Sequence, residues 1–180
     1  VPRTFYFVDI NQEIPDDFND RIINIKTADA IKADAKVPWK GIDFSGRIES
    51  IFLFRTALTK SIFPFALHNP IFVTLPIEIH VNNDLRKVIR TIKSYDLMHR
   101  GYLLASKWLE NAEKIWEVYK TEKSKAMSNI DRLDYNSGLS SQNLNARYLV
   151  LYNSSAKDAN ALVLDRENFE SELIEERIRI

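Results

Sequence analysis

Cysteine is absent from the chain, which excludes disulfides and thiolate-bound metals and makes a cytoplasmic setting the expectation. Glycine is scarce: Gly41, Gly46, Gly101 and Gly138 are the only four in 180 residues. A chain so poor in glycine holds no phosphate-cradling P-loop, and no GxSxG elbow is present either. Neither sign of charge is in excess, with 25 Lys and Arg against 25 Asp and Glu. A protein that binds nucleic acid by itself usually carries a basic surplus. Its absence speaks against an autonomous binder, but not against a module that shares the load with a neighbouring domain. No apolar run approaches the ~18 residues of a membrane span, so no membrane partner is expected. His68, His80 and His99 are the only histidines, and none stands at His-Glu-x-x-His spacing, so no metal ligand is assigned.

What is present is ample apolar material, 45% of the residues, enough for a real core in one domain spanning 1–180. The start at Val1 suggests a piece excised from a longer chain. The strongest pattern runs over about 95–125. Leu97, Gly101, Leu104, Trp108, Ala112, Ile115 and Tyr119 recur at spacings of three and four, the stripe of an amphipathic helix. Gly101 is its weak point, a bend or a later start. The region before it, 1–92, reads as β-rich: Thr4–Ile10, Arg21–Lys26, Arg47–Phe54, Ile71–Leu75 and Ile77–Ile79 are β-branched and aromatic. Pro15-Asp16-Asp17 and Asn82-Asn83-Asp84 are turns. Thr27–Lys36 is a helix or a loop, Val37–Gly46 an ordered loop, and Leu85–Ile92 a strand or a helix. A second β segment, 146–165, forms a hairpin, and residues 166–180 begin another helix. The fold class is therefore α+β, with mostly antiparallel strands packed on one long amphipathic helix.

Two short patterns touch on chemistry. Asn69-Pro70-Ile71-Phe72 is similar to the Asn-Pro-Pro-Tyr/Phe stretch of amino-methylating DNA methyltransferases, but Ile71 replaces the second proline and no Gly-rich loop precedes it. It reads as a proline turn entering a strand. Pro15-Asp16 followed by Asp34-Ala35-Lys36 fits the loose PD-(D/E)xK nuclease pattern, whose two carboxylates grip Mg²⁺ beside a lysine. That pattern needs its second half at the end of a buried strand, and Ala28–Ala35 has no strand character.

Three segments together carry a resemblance. Val37-Pro38-Trp39-Lys40-Gly41-Ile42-Asp43-Phe44 resembles a (K/V)PW(K/R)G(I/L)xF stretch, and Asp131 to Gln142 resembles RIDYRRKLSxQ. Arg147 to Val163 resembles RVVYNKSGTxLAAAVV. These look like the region downstream of the catalytic domain in large, restriction-associated adenine-specific DNA methyltransferases. Asn136-Ser137 stands where that pattern has a basic pair, and Ser154-Ser155-Ala156 where it has Lys-Ser-Gly.

The resemblance implies a non-catalytic, target-recognition-like accessory domain. S-adenosylmethionine would belong to the parent protein and no cofactor to this fragment. The partners would be double-stranded DNA and the catalytic domain of the same chain, where the target base is flipped. The expected DNA-binding residues are Lys40, Arg47, Arg132, Asn136 and Arg147, cations for phosphates and an amide for a base edge. Two alternatives stand beside it: a structural or interaction domain whose long helix docks a partner or the parent catalytic domain, and a divergent nuclease fragment of the PD-(D/E)xK type.

Overall fold

The computed structural model describes residues 3–13, 21–153 and 160–167. Thr4, Phe5 and Tyr6 are all buried and form a short helix, α1 (Arg3–Tyr6), where the sequence predicts a strand. A strand would turn every second side chain outward. Here side chains from elsewhere take up the carbonyls instead. Thr27 Oγ1 donates to Thr4 O at 2.9 Å, while Trp108 Nε1 and Thr74 Oγ1 donate to Phe5 O at 3.1 and 3.2 Å.

The chain then enters β1 (Phe7–Ile10), followed by β2 (Ile22–Thr27), α2 (Asp29–Asp34), β3 (Ser45–Glu49) and β4 (Leu53–Thr56). With β7 (Ile71–Thr74) these strands make a five-stranded sheet in the order β3-β2-β1-β7-β4, every neighbouring pair antiparallel. The predicted strand Arg47–Phe54 is broken by a 3₁₀ turn at Ser50–Phe52, and the break has a large effect. It connects the two opposite edges of the sheet. In a flat sheet those edges lie about 19 Å apart, four strand spacings. Four Cα steps from Glu49 to Leu53 reach only about 14 Å. The sheet is therefore strongly coiled, its two edges drawn toward each other at this end.

Three two-stranded ladders complete the β structure: β5 (Ile62–Phe63) with β6 (Ala66–Leu67), β8 (Ile77–Val81) with β9 (Lys87–Thr91), and β10 (Tyr148–Tyr152) with β11 (Ala161–Asp165). Asn69-Pro70 turns the chain into β7, as the proline reading anticipates, and Asn69 adopts a left-handed φ of 46°. Leu85–Ile92 takes the strand alternative, and Thr27–Lys36 the helical one. The predicted turn at Pro15–Asp17 and the predicted C-terminal helix from residue 168 onward lie outside the described residues.

The single helix predicted over 95–125 is two helices, α3 (Ser94–His99) and α4 (Leu103–Tyr119). They meet at Gly101, whose φ of +86° belongs to the left-handed region that glycine reaches most readily. The new start at Leu103 is capped from the sheet. Both carboxylate oxygens of Glu49, at the end of β3, accept backbone N–H groups of the first turn, from Leu104 at 3.0 Å and Ala105 at 2.8 Å. At the other end α4 stops at Tyr119 because the chain doubles back, bringing the Met127 carbonyl to Trp116 Nε1 at 2.9 Å. The coarse class stands: α+β, with an antiparallel sheet.

The apolar stripe of α4, Ala105, Trp108, Leu109, Ala112 and Trp116, is buried against the sheet. Trp108 lies over Gly46 of β3, where a Cβ would come within 3.3 Å of the ring, and meets Phe44 edge-on at 4.3 Å. Behind α4 comes α5 (Asn129–Leu133), started by a capping box between Ser128 and Asp131. Asn129 is 1% exposed. Its side-chain oxygen accepts the Tyr6 hydroxyl, and its backbone N–H donates to Glu113 of α4 at 2.8 Å. Among the described residues no helix is long and apolar enough to cross a membrane.

The cap from β3 predicts a measurable cost. Glu49→Ala is expected to destabilise the fold by about 1 kcal/mol in urea denaturation, since two N–H groups lose their acceptor. An unchanged midpoint would mean that water replaces the carboxylate without loss.

Candidate nucleic-acid interface

The resemblance singles out Trp39-Lys40, and the structure gives this pair a setting that no local pattern announces. The Val37–Gly41 turn is closed by Trp39 N–H and Lys40 N–H donating to Lys36 O at 2.8 and 3.1 Å. The turn lays the Trp39 indole on the C-terminal end of α4. Trp39 stacks on Trp116 at 5.7 Å between ring centroids and 20° between planes, and meets Tyr119 at 5.8 Å. Phe5 closes the inner side edge-on at 5.8 Å. Trp116 and Tyr119, three residues apart, share one helix face, so a single side chain from the loop can contact both.

Lysines adjoin Trp39 and Tyr119 in sequence. Lys36 and Lys40 flank Trp39 on the loop side and are exposed. Lys120, Lys123 and Lys125 follow Tyr119. Lys120 pairs with Glu117 at 2.6 Å and Lys125 with Glu122 at 3.5 Å. Among the described residues Lys36, Lys40 and Lys123 have no acidic partner, and all three are exposed. Exposed cations next to such an anchored loop suit phosphate contacts.

Of the five residues expected to contact DNA, one adjoins the aromatic cluster and two follow the segment that is hydrogen-bonded to α4. Lys40 is beside Trp39. Segment 127–129 is held to α4 by the Trp116–Met127 and Glu113–Asn129 hydrogen bonds, and the chain continues from it to Arg132 in α5 and Asn136 in the turn that follows. Arg132 lies over the Tyr135 ring at 4.7 Å. Asn136 is exposed with φ of 54°, a left-handed conformation that asparagine tolerates. The turn is held by Asp134, whose Oδ1 accepts Leu139 N–H and Ser140 N–H at 2.9 and 2.8 Å. Burial pushes the Asp134 carboxyl up, but those hydrogen bonds outweigh it and hold the group below its ordinary range.

The other two are elsewhere. Arg47 stands opposite Asn24 in the β2–β3 ladder. Because Gly46 faces Trp108, alternation turns Arg47 to the far face of the sheet. Arg147 starts the β10–β11 hairpin and is engaged by Asp165 at 2.9 Å and Glu167 at 3.8 Å. Hydrogen bonding to Asp165 raises its already high pKa.

Asp34 ends α2 and is exposed, not at the end of a buried strand, while Pro15-Asp16 lies outside the described residues. Among the described residues no group of three or more His, Asp and Glu side chains stands together as a metal site would require. The chain matches no family model, no curated protein and no solved structure.

Tyr119, Lys36 and Lys123 are not among the five residues expected to contact DNA: the sequence shows the first as part of a helix stripe and the other two as basic residues scattered in loops. Their only signal is the Trp116–Tyr119 spacing followed by lysines, and it acquires meaning only once Trp39 arrives from 80 positions earlier.

Glu113, beneath this surface, gives a pH prediction. Burial raises its pKa, the hydrogen bond from Asn129 opposes the rise, and neighbouring Glu117 adds to it. The folded state therefore binds its proton more tightly than the unfolded chain. The ionised carboxylate carries a penalty at pH 7, which is relieved as pH falls through the raised value toward the ordinary one. Glu113→Gln keeps an acceptor for Asn129, so it should melt higher than the parent at pH 7, with the difference vanishing at mildly acidic pH. Thermal melts across that range decide it; a lower melting point at pH 7 would show the charge to be favourable.

Proposed function

We propose that this chain is a non-catalytic, target-recognition-like accessory domain of an adenine-specific DNA methyltransferase or restriction-modification protein. It holds duplex DNA against the Trp39–Trp116–Tyr119 face. Lys36, Lys40, Lys123 and Arg132 contact phosphates, and Asn136 offers an amide to a base edge. The parent's catalytic domain binds S-adenosylmethionine and carries the chemistry; this domain positions the duplex for it. One observation supports the reading: Lys40, in one of the resembling segments, is next to Trp39, which stacks on Trp116 and meets Tyr119 at the end of α4. Formal neutrality of the whole chain is compatible with this, because acidic residues elsewhere balance a locally basic face.

A second reading, an interaction domain, is favoured by a different surface. The apolar stripe of α4 is consumed by the domain's own core. The outward face of the β10–β11 hairpin is not: Tyr148, Val150, Tyr152 and Val163 are 56–67% exposed on one side of the ladder. The parent's catalytic domain is the occupant this reading assigns to it.

Fluorescence-anisotropy titration of mixed-sequence duplex DNA at several salt concentrations separates the two. The recognition reading predicts log affinity falling linearly with log salt, with the slope shallower by about 0.9 for each phosphate-binding lysine removed, as in Lys36→Ala and Lys40→Ala. Arg147→Ala should change it far less, its charge being held by Asp165. No binding at low salt would overturn autonomous recognition and leave the hairpin face as the functional surface.

A further inference from the structure

β10 pairs with β11 on one side, and among the described residues it has no strand on the other. Asn153 N–H donates to Asn160 O at 3.0 Å and Arg166 N–H to Arg147 O at 2.9 Å, and these two pairs fix the phase of the ladder. Bonding in an antiparallel pair alternates residue by residue, so Leu149 and Leu151 direct their N–H and C=O groups at β11. The N–H and C=O groups of Tyr148, Val150 and Tyr152 point the other way, and nothing among the described residues bonds to them. A cleft of about 520 Å³ runs beside every residue of the strand, so the chain itself leaves space along this edge.

Comparable edges elsewhere are closed. On β9, Lys87 stands in the same outward phase, and the Asn145 side chain takes both of its backbone groups. It accepts the N–H at 2.8 Å and donates to the carbonyl at 3.1 Å. The outer edge of β11 meets the β5–β6 hairpin, where Phe65 N–H donates to Ala161 O at 3.3 Å. β10 has no such cover, and it carries none of the charges, prolines or bulges that keep strand edges from pairing. Its sequence, Tyr-Leu-Val-Leu-Tyr, reads the same in both directions. Set antiparallel to itself about Val150, the strand places Tyr148 opposite Tyr152 and Val150 opposite its own copy. Those are the residues whose backbone groups point outward. A two-fold axis sets a charge on it against the same charge. Here the nearest one, Arg147, falls opposite Asn153 and is already held by Asp165 at 2.9 Å.

We propose that β10 is a self-pairing edge: two copies of this chain join by antiparallel addition of β10 to β10 about a two-fold axis at Val150. The product is one four-stranded sheet in the order β11-β10-β10-β11. Three outward-pointing residues on each strand exchange about six backbone hydrogen bonds. Tyrosine meets tyrosine across the seam, on the face where Tyr148 and Tyr152 are 56% and 67% exposed. The new bonds lie in the plane of the sheet, so pairing extends the apolar outward face of the hairpin and does not consume it. A single short strand offers well under the ~800 Å² per partner of a standard interface, so the dimer is reversible and forms at high protein concentration. No residue of the aromatic–lysine face takes part.

Sedimentation velocity without DNA tests this, with a monomer expected at about 5 μM and mostly dimer at about 1 mM. Amide hydrogen exchange at the high concentration should slow at Tyr148, Val150 and Tyr152. Leu149 and Leu151 should not change, since β11 protects them in both states. Val150→Pro removes an N–H that β11 does not use, and it should weaken association by about tenfold or more with the fold retained. Val150→Lys and Val150→Glu should each weaken it similarly, and an equimolar mixture of the two should recover the dimer, because a residue meets its own copy only at the axis. Val163→Lys is the control: it lies on the same face, away from the edge, and should leave association unchanged. Should the proline variant fail to fold, the exchange pattern of the parent and the charge swap decide without it. A chain still monomeric at about 1 mM, protection without alternation, or no recovery in the mixture would each overturn the proposal. So would a dimer lost with Val163→Lys but kept with Val150→Pro, which would mean stacking of faces.

Discussion

Tyr6 is fully buried with a hydroxyl that cannot reach water, and the fold is arranged to answer it. Burial pushes the phenol well above its ordinary pKa, so it remains a neutral donor. The acceptor is Asn129, the first residue of α5, whose own N–H is taken by Glu113 from α4. Three segments far apart in the chain are thereby tied at one point inside the core. A buried donor left without an acceptor costs about 1–3 kcal/mol, a large fraction of a domain's net stability. The capping box of α5 makes the tie directional, since Ser128 and Asp131 fix where that helix begins and hence where Asn129 is presented. Arg132 in α5 and Asn136 in the turn after it follow from that starting point.

Much of the fold could be read from local chemistry. β2, β7, β8, β10 and β11 follow runs of β-branched and aromatic residues, and the turns at Asn69-Pro70 and Asn82–Asp84 follow turn residues. The errors have a common physical origin. Thr4–Tyr6 has strand composition, but its carbonyls are satisfied by threonine and tryptophan side chains that only tertiary packing supplies. RIESIFLF has an uninterrupted strand pattern, but its middle must carry the chain between the two edges of a coiled sheet. The helix pattern over 95–125 runs through Gly101 without a break in periodicity. What interrupts it is the Glu49 carboxylate, which caps a fresh start at Leu103 from another element, together with the pull of Trp116 on Met127.

The candidate interface was partly visible in the same way. Lys40, Arg132 and Asn136 stood in recognisable segments; the structure puts Lys40 next to the stacked Trp39, and Arg132 and Asn136 after the stretch that Trp116 and Glu113 hold against α4. Nothing near Arg47 or Arg147 in sequence disclosed that strand alternation turns one to the opposite sheet face, or that Asp165 and Glu167 engage the other. Trp39 shows both sides of the problem. Its position in a turn beside lysines is a local fact, while its stacking on Trp116 and Tyr119 is a consequence of where α4 ends.

The contact between Gly46 and Trp108 has a bearing on how the sheet assembles. A slip of β3 against β2 by one residue would bring Arg47 or Ser45 beneath the indole, where a Cβ alone already comes within 3.3 Å of the ring, and would turn Ile48 from the core to the outside. The missing Cβ thus works as an index mark: the strand has one position in which the ring can close over it. Pairing errors at this edge are rejected by shape before any hydrogen bond is counted, so β3 can sit at the rim of a coiled sheet and still present Glu49 to the helix at the right height.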